Sequence, residues 1–222
     1  MEFFLKYWII GLGFLAQAMF GMRQLVQLVQ TERARRVMSP VLFWQLSLVG
    51  SFLFLLYGLL RNDIVIILGQ FLSFFIYIRN LQLKGAWKNI PVIARAVLVS
   101  LPGGLVTITL LTVPEKLSAI LSNNSFADPL LVMGAFGQLL LNFRFIYQWY
   151  YSEKHKTSLL PLGFWLISAG ASVMIILYGI QKEDIVLLVA QSLGIFVYAR
   201  NIIVHFRSRL VFAPIENNHS LD

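Results

Sequence analysis

The sequence contains two copies of one segment. Residues 13–82 align without a gap with residues 134–203 at a constant offset of 121, and 22 of the 70 aligned positions are identical. Many of the identical residues are polar although apolar sequence surrounds them, as at Arg23 and Arg144. A duplicated unit of this length predicts two copies with one fold that pack against each other.

The composition is that of an integral membrane protein. Hydrophobic residues make up 58% of the chain and charged residues 13%, with a mean hydropathy of +0.75, which is far more apolar than a soluble domain. Cysteine is absent and the three histidines, His155, His205 and His219, lie outside the apolar segments. We therefore expect no cofactor and no protein-bound metal.

Seven segments are long and apolar enough to cross a membrane, which takes about 20 residues. Each copy holds three of them and one stands alone between the copies. Because three crossings invert the chain, the single helix returns it to its starting side, and the two copies are predicted to be parallel. The segment at the N-terminus resembles a signal peptide, but its internal copy predicts that it is retained as a helix. The seven predicted spans are 7–30, 41–60, 63–80, 92–113, 129–151, 160–180 and 184–204.

The predicted division is a first three-helix repeat (1–90), a linker helix (91–125), a second repeat (126–207) and a short cytoplasmic tail (208–222). Asp63 and Asp184 begin the third and seventh spans, where we expect them to cap the helices. Lys and Arg are concentrated on one side of this arrangement, so the positive-inside rule places the N-terminus outside and the C-terminus inside. No soluble basic module is present, and we expect no nucleic-acid partner.

Polar stripes run along the helices of both copies. Helical spacing places Gln70, Ser73, Tyr77 and Asn80 on one face of the third helix. Two interpretations stay open: the stripes line a central cavity that binds a ligand, or they join the helices by hydrogen bonds. The tryptophans could stack on a sugar or anchor the helices at the membrane interface. The candidate binding residues are Gln17, Arg23, Gln27, Trp44, Ser47, Gln70, Tyr77, Asn80, Gln138, Asn142, Arg144, Gln148, Trp165, Ser168, Gln191, Tyr198 and Asn201.

Arg23 and Arg144 are the most specific of these candidates. Each lies about 10 Å inside the cytoplasmic end of its predicted helix at 1.5 Å per residue, and an ionisable residue at that depth indicates function. A guanidinium suits phosphate in bidentate geometry. The alternatives are that each arginine extends to the membrane interface or pairs with a neighbouring carbonyl.

Other charged residues that recur in both copies lie nearer the predicted cytoplasmic ends of the helices. For Arg79 and Arg200 we expect side chains that extend to the interface. Glu32 and Glu153 follow in basic loops, where they are expected to balance neighbouring cations such as Arg33 and Lys154.

The combined pattern resembles the lipid A biosynthesis N-terminal domain family. It reads Gly13, Gln17, Arg23, Gln27, Glu32, Pro40, Phe43-Trp44, Tyr57-Gly58, Asp63, Gln70, Tyr77 and Arg79-Asn80, with Arg144-Phe145, Gln148-Trp149, Ser152-Glu153-Lys154, Phe164-Trp165, Tyr198 and Arg200-Asn201 in the second copy. The resemblance implies a fold similar to PQ-loop and SWEET-like three-helix units, a bacterial inner-membrane location and a link to lipid-A-disaccharide synthase.

These observations lead to one preferred hypothesis and three alternatives. The preferred hypothesis is a protein of lipid A or glycolipid envelope biosynthesis that binds, and translocates or presents, a lipid-linked sugar or phosphorylated glycolipid. The alternatives are a SWEET-like facilitator of small sugars, a scaffold that recruits a cytoplasmic glycosyltransferase, and disaccharide synthesis itself. We expect no synthesis by this chain alone, because its loops are too short for a nucleotide-sugar glycosyltransferase domain. Its other expected partners are membrane lipids.

Overall fold

The fold is all-helical, as predicted. A computed structural model describes residues 2–61, 64–113, 115, 129–181 and 185–211. Within these ranges seven α-helices and one short 3-10 helix follow one another along the chain. They are α1 (Glu2–Ala34), α2 (Val41–Arg61), α3 (Ile64–Leu83), the 3-10 helix (Ala86–Asn89), α4 (Val92–Thr112), α5 (Pro129–His155), α6 (Leu162–Gln181) and α7 (Ile185–Val211).

Five helices in the described part of the chain are long and apolar enough to cross a membrane. The remaining described α-helices, α5 and α7, correspond to the other two predicted spans. Asp63 and Asp184, the predicted helix caps, lie outside the described residues. The five spans are Tyr7–Ala34, Val41–Arg61, Ile66–Leu83, Val92–Leu111 and Leu162–Gln181.

The end of the first helix is built alike in the two repeats. Beyond α1, Arg35 has a φ of 52°, and beyond α5, Lys156 has a φ of 51°. These left-handed residues stop the helices without glycine. The returning chain is then held by a buried hydroxyl, since Thr31 Oγ1 accepts the Met38 N–H at 3.1 Å. Ser152 Oγ accepts the Leu159 N–H at 3.0 Å in the second repeat.

The helices of each repeat pack side by side, α1 on α2 on α3 and α5 on α6 on α7. The repeats meet where α3 contacts α5 and where α1 contacts α7. One buried cluster runs through this meeting place and contains aromatic residues of both repeats, among them Trp44, Tyr77, Phe145, Trp165 and Tyr198. The polar stripes of the sequence therefore lie next to the largest apolar core.

The linker helix α4 lies against α2 and α3 of the first repeat. Pro102-Gly103-Gly104 predicts a kink or a break here. The break does not occur, because α4 continues from Val92 to Thr112 with Pro102 inside it. From Val92 to Thr112, α4 is thus one continuous helix.

Candidate functional site

Arg23 is held inside the first repeat. Its side chain is 4% exposed, and Nη1 donates to Ser47 Oγ on α2 at 2.9 Å and to Tyr77 OH on α3 at 3.1 Å. The guanidinium carbon Cζ lies 4.5 Å from the centroid of the Phe20 ring. One turn of each helix in the repeat therefore contributes to the placement of this arginine.

Arg144 repeats the arrangement in the second copy. It is 5% exposed, and Nη1 donates to Ser168 Oγ and to Tyr198 OH, both at 2.9 Å. Neither arginine extends to the end of its helix. The burial favours the functional interpretation over the interfacial one.

The two buried arginines have no carboxylate partner among the described residues. Both ion pairs seen in that part of the chain involve other arginines. The Nε–H groups of Arg23 and Arg144 and the indole N–H of Trp165 are buried, and no described residue offers them an acceptor. An unpaired charge and unpaired donors are costly in a low-dielectric interior, so the arrangement favours a ligand that carries negative charge and several acceptors.

Both arginines line one cavity at the interface of the repeats. Its volume is about 10 Å³, which holds about one water molecule. In this conformation the space beside the two arginines therefore has room for no more than that. Its lining residues are Arg23, Gln24, Gln27, Phe43, Arg144, Phe145, Phe164, Trp165 and Tyr198.

Four buried amides join the repeats beside this cavity. Gln27 Nε2 donates to Asn201 Oδ1 at 2.7 Å, and Asn201 Nδ2 donates back to Gln27 Oε1 at 3.1 Å. Gln148 and Asn80 make the same exchange, at 2.8 and 3.1 Å. All four side chains are fully buried. For these residues the geometry matches the interpretation of the stripes as interhelical hydrogen bonds.

The two tryptophans among the candidate binding residues, Trp44 and Trp165, lie in the core. Trp44 is 0% and Trp165 2% exposed, so neither anchors the protein at a membrane interface. Trp165 lines the cavity. Trp44 packs on Phe43 and Tyr77.

The remaining predicted residues are more dispersed. Gln70 is buried and Gln191 is half-buried. Each contacts the preceding helix of its repeat: Ser51 Oγ on α2 donates to the Gln70 backbone carbonyl at 3.0 Å, and Ser172 Oγ on α6 donates to Gln191 Oε1 at 2.8 Å. Gln138 and Asn142 are half-buried. Gln17 is exposed and lies apart from the cavity lining.

Two ion pairs between the repeats are not predicted by the sequence analysis. Arg79 donates from Nε to both carboxylate oxygens of Glu153 at 3.1 Å, and Arg200 pairs with Glu32. Both carboxylates thus pair across the interface, and the expectation that they balance a neighbour in their own loop is wrong. The hydrogen bonds from Arg79 lower the pKa of Glu153. All four residues recur at the offset of 121, and this recurrence was the available signal.

Two further residues beside the cavity are not among the candidate binding residues, and they differ between the copies. Gln24 on α1 donates to Tyr198 OH at 3.2 Å. Phe145 on α5 occupies the corresponding sequence position in the second repeat. A comparison of copies that selects identical residues passes over both.

Comparison with known proteins matches both repeats to one family. The model of the lipid A biosynthesis N-terminal domain covers residues 12–82 and 133–203. These two matches contain the arginines, the amide pairs and the ion pairs described above. No solved structure matches the chain, so the comparisons give no support to the resemblance to PQ-loop and SWEET-like units.

The similar relatives are named lipid-A-disaccharide synthases. The chain is 27% identical to one from Chlamydia pneumoniae, with 92% of this chain and 35% of the relative covered. It is 29% identical to one from Chlamydia felis, with 94% and 35% covered, and 28% identical to one from Chlamydia abortus, with 90% and 33% covered. The chain thus spans about a third of the length of these relatives.

Proposed function

This chain belongs to the lipid A biosynthesis N-terminal domain family, and we propose that it is an inner-membrane protein that binds the phosphate of a phosphorylated glycolipid between its two repeats. Binding there presents the glycolipid to another protein or begins its translocation. The single observation that carries this proposal is the pair of buried arginines on the wall of one cavity, for which the described residues supply no carboxylate partner.

The chemistry of the cavity wall supports an anionic ligand. Two guanidiniums and one indole supply N–H donors that no described acceptor satisfies. Tyr198 OH accepts from both Arg144 and Gln24, so its lone pairs are engaged and its own proton is available. Phosphate offers several acceptor oxygens and the charge that guanidinium groups recognise best.

The size of the cavity defines a requirement for binding. A space for about one water molecule is too small for a phosphate group. The proposed ligand therefore enters when side chains of the wall move or the repeats separate. Sugar hydroxyls would then contact stripe residues beyond the wall, of which Gln70 and Gln191 have amide groups that take no part in the four-amide contact between the repeats.

We include the predicted arrangement of the repeats in this proposal. Three contacts of α3 with α5 rise together along both helices: Gly69 with Asn142, Tyr77 with Phe145, and Asn80 with Gln148. Because residue numbers increase in the same direction along both helices, these contacts support a parallel orientation of α3 and α5, and hence parallel repeats. The Lys and Arg distribution supports an outside N-terminus and an inside C-terminus.

The proposal is tested by binding of lipid A and of the same lipid after enzymatic removal of its phosphates, to the protein in nanodiscs. The wild type should bind the phosphorylated form at least tenfold more tightly. Arg23→Gln with Arg144→Gln should remove that preference, while Arg23→Lys with Arg144→Lys should keep part of it because charge remains without the planar fork.

Arg61→Gln is the matched control for this experiment. Arg61 is exposed at the end of α2 and is not part of the cavity wall. The proposal is abandoned if the double glutamine variant is folded and still prefers the phosphorylated lipid. Mass spectrometry of lipids that copurify with the wild type identifies the natural ligand.

A second candidate function follows from the length of the relatives. Proteins named lipid-A-disaccharide synthase contain a region similar to this chain, and this region covers about a third of their length. This supports a membrane module that holds a glycosyltransferase at the membrane. Photocrosslinkers at Arg33 and Arg36, exposed beyond the end of α1 or in its last turn, should then capture that enzyme in cells.

A further inference from the structure

The cavity wall contains one aromatic ring that touches both buried cations. The ring centroid of Phe145 lies 5.1 Å from Cζ of Arg23 and 4.9 Å from Cζ of Arg144. Among the described residues it is the one ring in such a position relative to both guanidiniums. Its face supplies the electron density that a cation attracts in the absence of an anion.

Phe145 also differs from the two arginines in how it is held. Arg23 and Arg144 are fixed by hydrogen bonds to serine and tyrosine hydroxyls. Phe145 is 3% exposed and packs edge-on against Tyr77 at 5.1 Å and against Phe164 at 5.3 Å. A phenyl ring moves without the loss of a hydrogen bond, and of the three phenyl rings in the wall Phe145 is the one that lies against both guanidiniums.

The equivalent position of the first repeat is polar. Gln24 replaces the ring there and directs its amide to Tyr198 OH. The pseudo-symmetry of the arginines, serines and tyrosines is thus broken at this one pair of adjacent wall residues. A ligand in this site meets a hydrogen-bonding group from one repeat and an apolar ring from the other.

We propose that Phe145 occupies, in the unliganded protein, the position beside both guanidiniums that an anionic group takes when it binds. Phe145 is then a specificity-determining residue, since an anion must interact with both arginines strongly enough to displace the ring. Because Gln24 makes one side of the site polar and Phe145 makes the other apolar, one phosphate binds per chain and in one orientation. This inference rests on the proposed function, because it assumes that the arginines bind an anion.

Inorganic pyrophosphate is a suitable probe because it carries the anionic group without a lipid. Phe145→Ala should bind it at least fivefold more tightly than the wild type, because the ring no longer competes for the space. Phe145→Gln copies the residue of the first repeat and adds an amide donor, and it should also bind at least fivefold more tightly. The glutamine variant serves where the alanine variant does not fold.

Phe74→Ala is the control for the loss of a buried ring. Phe74 is 1% exposed and belongs to the same core cluster, but it does not line the cavity. Its substitution should lower the thermal stability as Phe145→Ala does and leave pyrophosphate affinity within twofold. Addition of Arg23→Gln and Arg144→Gln to Phe145→Gln should remove the gain.

The outcomes separate the two proposals. If the arginine variants lose binding while both Phe145 variants bind as the wild type does, the role of Phe145 is wrong and the proposed function stands. If neither the wild type nor any Phe145 variant binds pyrophosphate or phosphorylated lipid, both proposals are wrong. Equal gains in pyrophosphate affinity in Phe74→Ala and Phe145→Ala would show that Phe145 only packs in the core and does not determine specificity.

Discussion

At the scale of single residues, the polar stripes contain two kinds of side chain with different consequences. The amides of Gln27, Asn80, Gln148 and Asn201 satisfy one another across the interface. The arginines beside them have buried Nε–H donors for which the described part of the chain supplies no acceptor. Both kinds recur at an offset of 121, so recurrence alone marks their importance without separating packing from binding.

Asn80→Ala should destabilise the protein by about 1–3 kcal/mol, the cost of leaving a buried polar partner unsatisfied. Asn80 exchanges two hydrogen bonds with Gln148 and accepts one from Ser158. The measurement is the free energy of unfolding in mixed micelles. Gln82→Ala, an exposed position on the same helix, should change it by less than about 0.5 kcal/mol, and equal effects of the two substitutions would contradict the structural role of Asn80.

At the scale of elements, the contact between α3 and α5 depends on a missing side chain. A Cβ atom on Gly69 would lie 2.5 Å from Nδ2 of Asn142. The positions that correspond to these two in the other repeat are Ala190 and Gly21. In sequence, the smaller residue thus lies on α3 in one pair and on α1 in the other.

Gly69→Ala should destabilise the protein by about 1–3 kcal/mol through overpacking. Asn142→Gly in the same chain should recover most of that loss, because it removes the side chain that the new methyl group would meet. A double-mutant cycle of unfolding free energies measures the coupling. Additive effects of the two substitutions would show that these side chains do not meet.

At the scale of the whole molecule, two reciprocal ion pairs join the repeats in addition to the hydrogen bonds among the four buried amides. Arg79 of the first repeat pairs with Glu153 of the second, and Arg200 of the second pairs with Glu32 of the first. Such partly exposed pairs contribute little stability singly, but together they link the ends of α3 and α5 to each other and the end of α1 to Arg200 within α7. Any separation of the repeats at this end must break both pairs.

Glu32→Gln with Glu153→Gln should therefore lengthen or broaden the distance between the two loop ends. The chain has no native cysteine, so spin labels on cysteines at the exposed positions Arg35 and Lys156 report that distance by pulsed electron resonance. Arg33→Gln, which removes a neighbouring charge outside the pairs, should leave the distribution unchanged. An unchanged distribution in the double glutamine variant would rule out the clamping role.

Acid should open the same contact. The hydrogen bonds from Arg79 lower the pKa of Glu153 below the ordinary 4.5, so the ion pair contributes fully above that value and is lost as pH falls through the lowered pKa. With the same labels, the distance should be constant between pH 7 and pH 5 and should increase only well below pH 4.5. In Glu153→Gln the acid-dependent change should be reduced, and a response of unchanged size would contradict this assignment.

The sequence by itself determined the class of the protein, its helices and the identity of the residues that recur. These follow from local quantities, since hydropathy over about 20 residues predicts a span and a constant offset exposes a duplication. Arg23 and Arg144 were identified in this way, because a charge is costly within an apolar segment wherever the helix packs.

Only the tertiary structure decided which recurring residues face each other. It paired Glu32 with Arg200 rather than with its neighbour, placed Gln17 on an exposed surface and brought Phe145 against both arginines. These contacts join residues more than 100 positions apart or break the symmetry of the copies. Such contacts depend on the rotation and register of one helix against another, and no periodicity within a single helix contains that information.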